Sequence, residues 1–142
     1  MSFVCIDKNY HVSPQIEPQQ IVEIAKNGFV KIICNRPDIE VPPFYNSSVI
    51  EDLAKEHSIE FHLIELTHEM MTPATAARQR ELFLNCKGPV LAYCASDTRC
   101  SLLWAIGEAS AGTDPNFILA KTLAAGYDFS NFESSLRTLS NQ

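Results

Sequence analysis

The sequence predicts an α/β fold, a mostly parallel central sheet with helices on both faces, and three observations carry that expectation. Short β-branched and aromatic runs at 29–34, 59–64 and 90–93 alternate with longer segments whose apolar residues recur at helical spacing. Proline or glycine punctuates the junctions, as at Pro18, Gly28, Pro73, Gly88-Pro89, Pro115 and Gly126. With 142 residues and no internal repeat, low-complexity tract or linker, 1–142 reads as a single domain with enough chain for a true core.

Each element has a local cause. Residues 3–15 read as an opening strand pair ending at Val12-Ser13-Pro14-Gln15. The first helix starts at Pro18, whose fixed φ suits a first helical position; Ile21, Ile24 and Ala25 form its apolar stripe and Gly28 stops it. The strand at 29–34 runs into a polar, proline-rich loop, Asn35-Arg36-Pro37-Asp38-Ile39-Glu40-Val41-Pro42-Pro43. Ser47 or Ser48 caps a second helix through Glu51, Leu53, Ala54 and His57. In the strand at 59–64, Ile59, Phe61 and Leu63 share one face, and Glu60, His62 and Ile64 the other. The loop 65–72 holds His68, Glu69, Met70 and Met71; Thr72 and Pro73 then cap and open a third helix reaching Asn85. After the strand at 90–93 comes a helix from Cys100 to about Ala111. Asp114-Pro115 opens another, closed by Gly126, and 132–139 forms a last one.

Composition removes several function classes. Hydrophobic residues at 46% and charged residues at 20% are an ordinary globular balance, which argues against wholesale disorder. A net charge of −6 with no Lys/Arg cluster argues against a general nucleic-acid role. No apolar run reaches membrane-spanning length. The start, Met1-Ser2-Phe3-Val4-Cys5-Ile6-Asp7, has no basic region followed by a long apolar core and does not read as a signal peptide. Five cysteines, odd in number and without a C-x-x-C pair, read as free thiols in a reducing, cytoplasmic setting. The histidines share no ligand spacing with one another or with the cysteines, so neither a metal nor another cofactor is expected.

The stretch from Gly88 to Ala105 carries the chemistry. A Gly-Pro breaker precedes a short apolar strand, a tight loop and a helix, and Cys94 falls where the strand ends, the usual place for a site in an open α/β sheet. Backbone N–H groups of the turn and the helix dipole favour a thiolate there and lower its pKa below the free value of about 8.5. Arg99, five residues on, offers a permanently charged planar fork to an anion. Nucleophile, anion cradle and guanidinium are the parts needed for cysteine-based transfer of a phosphoryl, sulfate or sulfane-sulfur group. The expected partner is a small anionic substrate, held by Ala95, Ser96, Asp97, Thr98, Cys100 and Ser101. The competing reading makes Cys94 a small core hydrophobe and Arg99 a surface helix residue. In a parallel sheet the loops after Cys34 and Ile64 open on the same edge, which brings Arg36, Asp38, His68 and Glu69 towards Cys94.

Together with Val12-Ser13-Pro14-Gln15, Gly28-Phe29, Asn35-Arg36-Pro37-Asp38 and Leu103-Trp104-Ala105, this stretch resembles the phosphatase-like domain family named after a beta-lactamase hydrolase-like protein. Members of that family occur alone or fused to metallo-hydrolase or persulfide-dioxygenase domains. The resemblance covers nearly the whole chain. It implies the fold of the dual-specificity protein tyrosine phosphatases, with Cys94 as nucleophile and Arg99 as anion-binding arginine. Three positions depart from the family loop, which has Arg, Gly and Ser where this chain has Ala95, Asp97 and Cys100. Glycine permits unusual dihedrals and close approach to an anion, whereas Asp97 brings bulk and a like charge. A carboxylate about 4 Å from one anionic charge costs about 4 kcal/mol at an effective dielectric near 20.

Three functions follow from these residues. The first is a cysteine-dependent phosphatase that passes through a phosphocysteine, with Asp38 as the general acid and Glu40, His68 and Glu69 as further acid candidates. Asp38 after proline also reads as a turn-forming residue. The second is sulfur transfer through a persulfide on Cys94; the six-residue loop from Cys94 to Arg99 is like that of rhodanese-like sulfurtransferases, and no acid is needed. The third is a degenerate module that binds an anion or a protein partner, motivated by Ala95 and Asp97. Cys94 with Cys100 or Cys34 also offers a reversible disulfide, against which stands simple burial of Cys100. The phosphatase reading leads because its resemblance spans the chain.

Overall fold

The computed structural model describes residues 3–142. Among these residues one sheet runs in the order β1-β2-β5-β3-β4, with β1 at Val4–Asp7, β2 at Tyr10–Ser13, β3 at Lys31–Cys34, β4 at Glu60–Leu63 and β5 at Val90–Tyr93. Only the β1–β2 pair is antiparallel; the other three pairings are parallel, as the alternating elements predicted. Every residue of β5 is buried, which fits a central strand covered on both faces and its unbroken apolar run. Ser13 of β2 and Cys34 of β3 both stand opposite Tyr93 of β5. The three strands therefore end level, and Pro14, Asn35 and Cys94 leave the sheet at one carboxyl edge.

Helices cover both faces. On one, α1 (Ile21–Lys26) and α2 (Ser47–Glu56) bury Ile21, Ile24, Ile50 and Ala54 against Ile32, Leu91 and Tyr93. On the other, α3 (Pro73–Leu84), α4 (Thr98–Ser110), α5 (Pro115–Ala124) and α6 (Glu133–Ser140) cover Val12, Ile33, Val90 and Ala92 with Leu103, Trp104, Ile118 and Leu136. The strand period of two divides Ile32 from Ile33 and Leu91 from Ala92 between the two cores. Gly107 lets α3 and α4 approach closely, because a Cβ there would lie 3.2 Å from the Ala76 carbonyl oxygen.

Several boundaries differ from the sequence reading. The α2 cap is Asn46, whose side chain accepts from the Ser48 N–H at 3.2 Å, and Ser47 becomes the first helical residue. Thr72 and Asp114 do cap α3 and α5, with Pro73 and Pro115 at the first position. The β4 alternation fails on one face: Leu63 is exposed and Phe61 only half-buried, because β4 is an edge strand. Helix α4 begins at Thr98 rather than Cys100, since Asp97 turns the chain with φ 65°. Among the described residues no helix is long and apolar enough to cross a membrane, and no group of three His, Cys, Asp or Glu side chains is placed to hold a metal ion.

Candidate active site

The loop that joins β5 to α4 is anchored from two sides. The Cys94 N–H donates to the Ser13 carbonyl and the Gln15 N–H to the Ala95 carbonyl, both at 3.4 Å. Ser101 donates to the Asp97 carbonyl twice, through its N–H at 3.1 Å and its hydroxyl at 3.0 Å. Cys94 has no exposed surface, while Ala95, Ser96 and Thr98 form an exposed rim above it. Asp97 adopts the left-handed conformation that glycine takes without steric cost. Its side chain makes no capping bond to α4. It lies instead beside Tyr127, whose phenol is pushed up by burial and by the Asp97 carboxylate.

Cys94 belongs to the buried core, yet polar groups favour its charged form. Its pKa is lowered to about 6, and the thiol of Cys100, hydrogen-bonded to it, is the main cause. Burial opposes this; N–H groups of Cys100 and Ser96 and the charge of Arg99 add to it. The same contact, with complete burial, raises Cys100 well above the ordinary thiol range, so the pair divides into a thiolate and a neutral donor. Cys34 is a different case: burial pushes it up to about 11, which leaves it inert.

Arg99 is fixed by three contacts. Its Nη1 donates to Glu40 Oε2 at 3.0 Å and to the Leu66 carbonyl at 2.9 Å, and its Nη2 donates to Glu40 Oε1 at 2.7 Å. Three of the five guanidinium hydrogens are thereby engaged; the Nε hydrogen and one on Nη2 remain for an anion. The Arg99 contact holds the Glu40 carboxyl below its usual range, so Glu40 is an ion-pair partner rather than a proton donor. Arg36 adds a second cation: its Nε lies 3.6 Å from Glu40 Oε1, and its Nη1 donates to Gln15 Oε1 at 3.1 Å. Gln15 in turn donates its N–H to the Ala95 carbonyl, which links Arg36 to the loop.

Beneath the loop lies a buried polar chain. Tyr10 Oη donates to the Cys100 carbonyl at 2.9 Å and accepts from Gln79 Nε2 at 2.9 Å. Gln79 and Asn35 exchange two amide hydrogen bonds, at 2.8 and 2.9 Å, and Asn35 also donates to the Ile64 carbonyl at 2.8 Å. The start of α4, and with it Cys100, is thus tied to β2, β3 and α3.

Of the residues singled out from the sequence, the loop members Cys94 to Ser101 come together as one constellation. Asp38 sits on the same edge, but its two oxygens accept from the Ser47 N–H at 2.8 Å and the Ser47 hydroxyl at 2.7 Å. These bonds tie the 38–40 turn to the first residue of α2, nine positions on. His68 and Glu69 lie in an exposed 3-10 turn with no hydrogen bond to the loop. The sequence reading missed the Glu40 clamp, Tyr127 and the polar chain. Two signals for the chain were present: Asn35 ends a buried strand, and Gln79 falls on the helical face that carries Thr75, Ala76 and Phe83.

Comparison with known proteins identifies the family and the fold. Residues 2–111 match the model for "Beta-lactamase hydrolase-like protein, phosphatase-like domain". Beta-lactamase hydrolase-like proteins from two strains of Xylella fastidiosa are 25% identical over 108 residues; this chain spans about a quarter of their length. A crystal structure of a candidate phosphatase from Neisseria meningitidis Z2491 is 32% identical, with a TM-score of 0.81 and coverage of 98% of this chain and 99% of that one. The core catalytic domain of a PP-IP phosphatase from S. cerevisiae, crystallised with citrate, shares the fold at TM-score 0.65 and 13% identity, over 94% of this chain and 81% of that one. Tk-PTP in its active form does so at TM-score 0.68 and 16% identity, over 99% and 97%.

Proposed function

Since the chain belongs to the beta-lactamase hydrolase-like phosphatase-like domain family and has a phosphatase-type fold, we propose that it is a cysteine-dependent phosphatase acting on small anionic esters. The observation that carries this is the lowered pKa of Cys94, about 6, beside a guanidinium with two hydrogens to spare. In the proposed step the Cys94 thiolate attacks phosphorus, the S–P bond forms as the P–O bond to the leaving group breaks, and loop N–H groups with Arg99 hold the equatorial oxygens. Water then cleaves the phosphocysteine, releasing phosphate and restoring the thiolate. Because Cys94 has no exposed surface, the rim at Ala95, Ser96 and Thr98 must open to admit the ester.

Two acid candidates have other partners here, Asp38 with Ser47 and Glu40 with Arg99. The proposed substrates are therefore esters whose leaving oxygen departs with little proton assistance, such as aryl or acyl phosphates. The same observation supports a second reading. In sulfur transfer the thiolate takes the outer sulfur of thiosulfate, sulfite leaves with the S–S bonding pair, and cyanide removes the sulfur from the Cys94 persulfide as thiocyanate. No acid takes part. A paired assay separates the two: aryl phosphate turnover lost in Cys94→Ser and Arg99→Ala supports the phosphatase. A 32 Da adduct on Cys94 with thiocyanate release, and no ester turnover, replaces it with the sulfurtransferase. Silence in both overturns the enzymatic reading.

A further inference from the structure

A groove of about 680 Å³ lies between α4, α6 and the loop that leads into α3, with Leu102, Ile106, Met71, Phe132, Leu136 and Leu139 among its walls. No Lys, Arg, Asp or Glu lines it. The groove shares two walls with the anion site. Arg99, Leu102 and Ile106 lie on one stripe of α4, at spacings of three and four residues. The loop whose Leu66 carbonyl accepts from Arg99 continues through His68 and Met71 into the groove. The far wall, from Phe132 and α6, lies beyond the residues 2–111 that match the family model.

We infer that this groove binds the uncharged part of the substrate: an alkyl or aryl body whose terminal oxyanion occupies the cradle. The inference rests on the cradle reading of Cys94 and Arg99 given above. A polyanionic or peptide substrate carrying charge beyond the reacting group finds no Lys, Arg, Asp or Glu along these walls, His68 being the one titratable side chain there, whereas an apolar body exchanges water for Leu102, Ile106 and Leu139. The volume lies in the range of small-molecule pockets, about 300–1,000 Å³. Placing the apolar body on residues past 111 makes specificity a property of this chain's own C-terminal helices rather than of the shared loop.

The experiment uses the full chain as Cys94→Ser, which binds without turnover, titrated calorimetrically with methyl-, butyl- and octylphosphonate. Affinity is expected to rise about two- to fourfold per added methylene, and Arg99→Ala to weaken every member of the series. Ser135→Trp, which fills the groove from the exposed side of α6, and Ile106→Ser are expected to flatten the rise in proportion to chain length. A series that is flat while methylphosphonate binding still depends on Arg99 overturns the groove inference alone. A rise that survives unchanged in both groove variants does the same, because the apolar body then lies elsewhere. Self-association on sedimentation that Ile106→Ser abolishes assigns the groove to a second copy and also overturns it. Failure of every ligand, methylphosphonate included, strikes the cradle reading first, and this inference with it.

Discussion

Removing the Cys100 thiol is the sharpest test of how Cys94 is activated. A pKa of about 6 against about 8.5 for a free thiol corresponds to about 3 kcal/mol in favour of the thiolate. Hydrogen bonds to charged groups contribute about 1.5–3 kcal/mol each, so loss of the largest contributor moves the pKa by about 1–2 units. Cys100→Ala is therefore expected to titrate near 7–8, while Cys100→Ser, which keeps a donor, stays near 6. The assay is the iodoacetamide alkylation rate against pH, with the adduct located by mass spectrometry. Burial of Cys94 slows alkylation at every pH and leaves the midpoint unaffected, so the midpoint is the quantity to read. Cys34, pushed up to about 11, and Cys100, higher than an ordinary thiol, stay silent across this window. A Cys100→Ala midpoint still near 6 would refute the assigned donor; a wild-type midpoint near 8.5 would refute activation altogether.

Four further outcomes follow. Asp97→Gly suits a φ of 65° and removes a negative charge from the loop; tungstate should bind at least tenfold tighter, with unfolding free energy changed by no more than about 1 kcal/mol. Asp38→Asn should cost about 1 kcal/mol in denaturant unfolding by weakening the turn before α2 and should leave the leaving-group dependence of kcat/KM unchanged; a steeper dependence would return Asp38 to the acid role. Because the folded pKa of Cys94 is depressed, its contribution to stability is full above about pH 8.5 and is lost as pH falls through about 6. Wild type should thus gain up to about 3 kcal/mol across that window relative to Cys94→Ala, read by urea unfolding at several pH values. Gln79→Leu leaves the Asn35 amide and Tyr10 hydroxyl short of partners in the interior and should cost about 2–4 kcal/mol; a cost under 1 kcal/mol would show that water replaces the amide.

How far the sequence could be read depended on whether a residue's role was local. The runs at 29–34, 59–64 and 90–93, the caps at Thr72 and Asp114 and the stops at Gly28 and Gly126 act within a few residues of themselves, and each was legible. The strand–loop–helix order around Cys94 and Arg99 was legible for the same reason. Glu40 was not, because Arg99 lies 59 positions away and only the level ends of β3 and β5 bring them together. Asp38 shows the converse: its residue type and loop fitted an acid, and only the folded turn shows Ser47 holding both oxygens. The boundary of α4 was misplaced because Asp97, at the position where the family loop has Gly, takes a positive φ and starts the helix two residues before Cys100.

The polar chain through Asn35, Gln79, Tyr10 and the Cys100 carbonyl has a consequence for the nucleophile. An apolar substitute of equal volume would serve stability about as well, since each buried hydrogen bond contributes little net free energy. It would not hold the first turn of α4 at one height above the sheet. Tyr10 does so by grasping the carbonyl of Cys100, the residue whose thiol and N–H favour the Cys94 thiolate. A shift of α4 weakens both of those influences together and lets the desolvation cost on the thiolate dominate. The acidity of Cys94 is in this sense set by β2, β3 and α3 as much as by its own loop. Changes at Gln79 or Asn35 are therefore expected to raise the alkylation midpoint of Cys94, although neither side chain touches the sulfur.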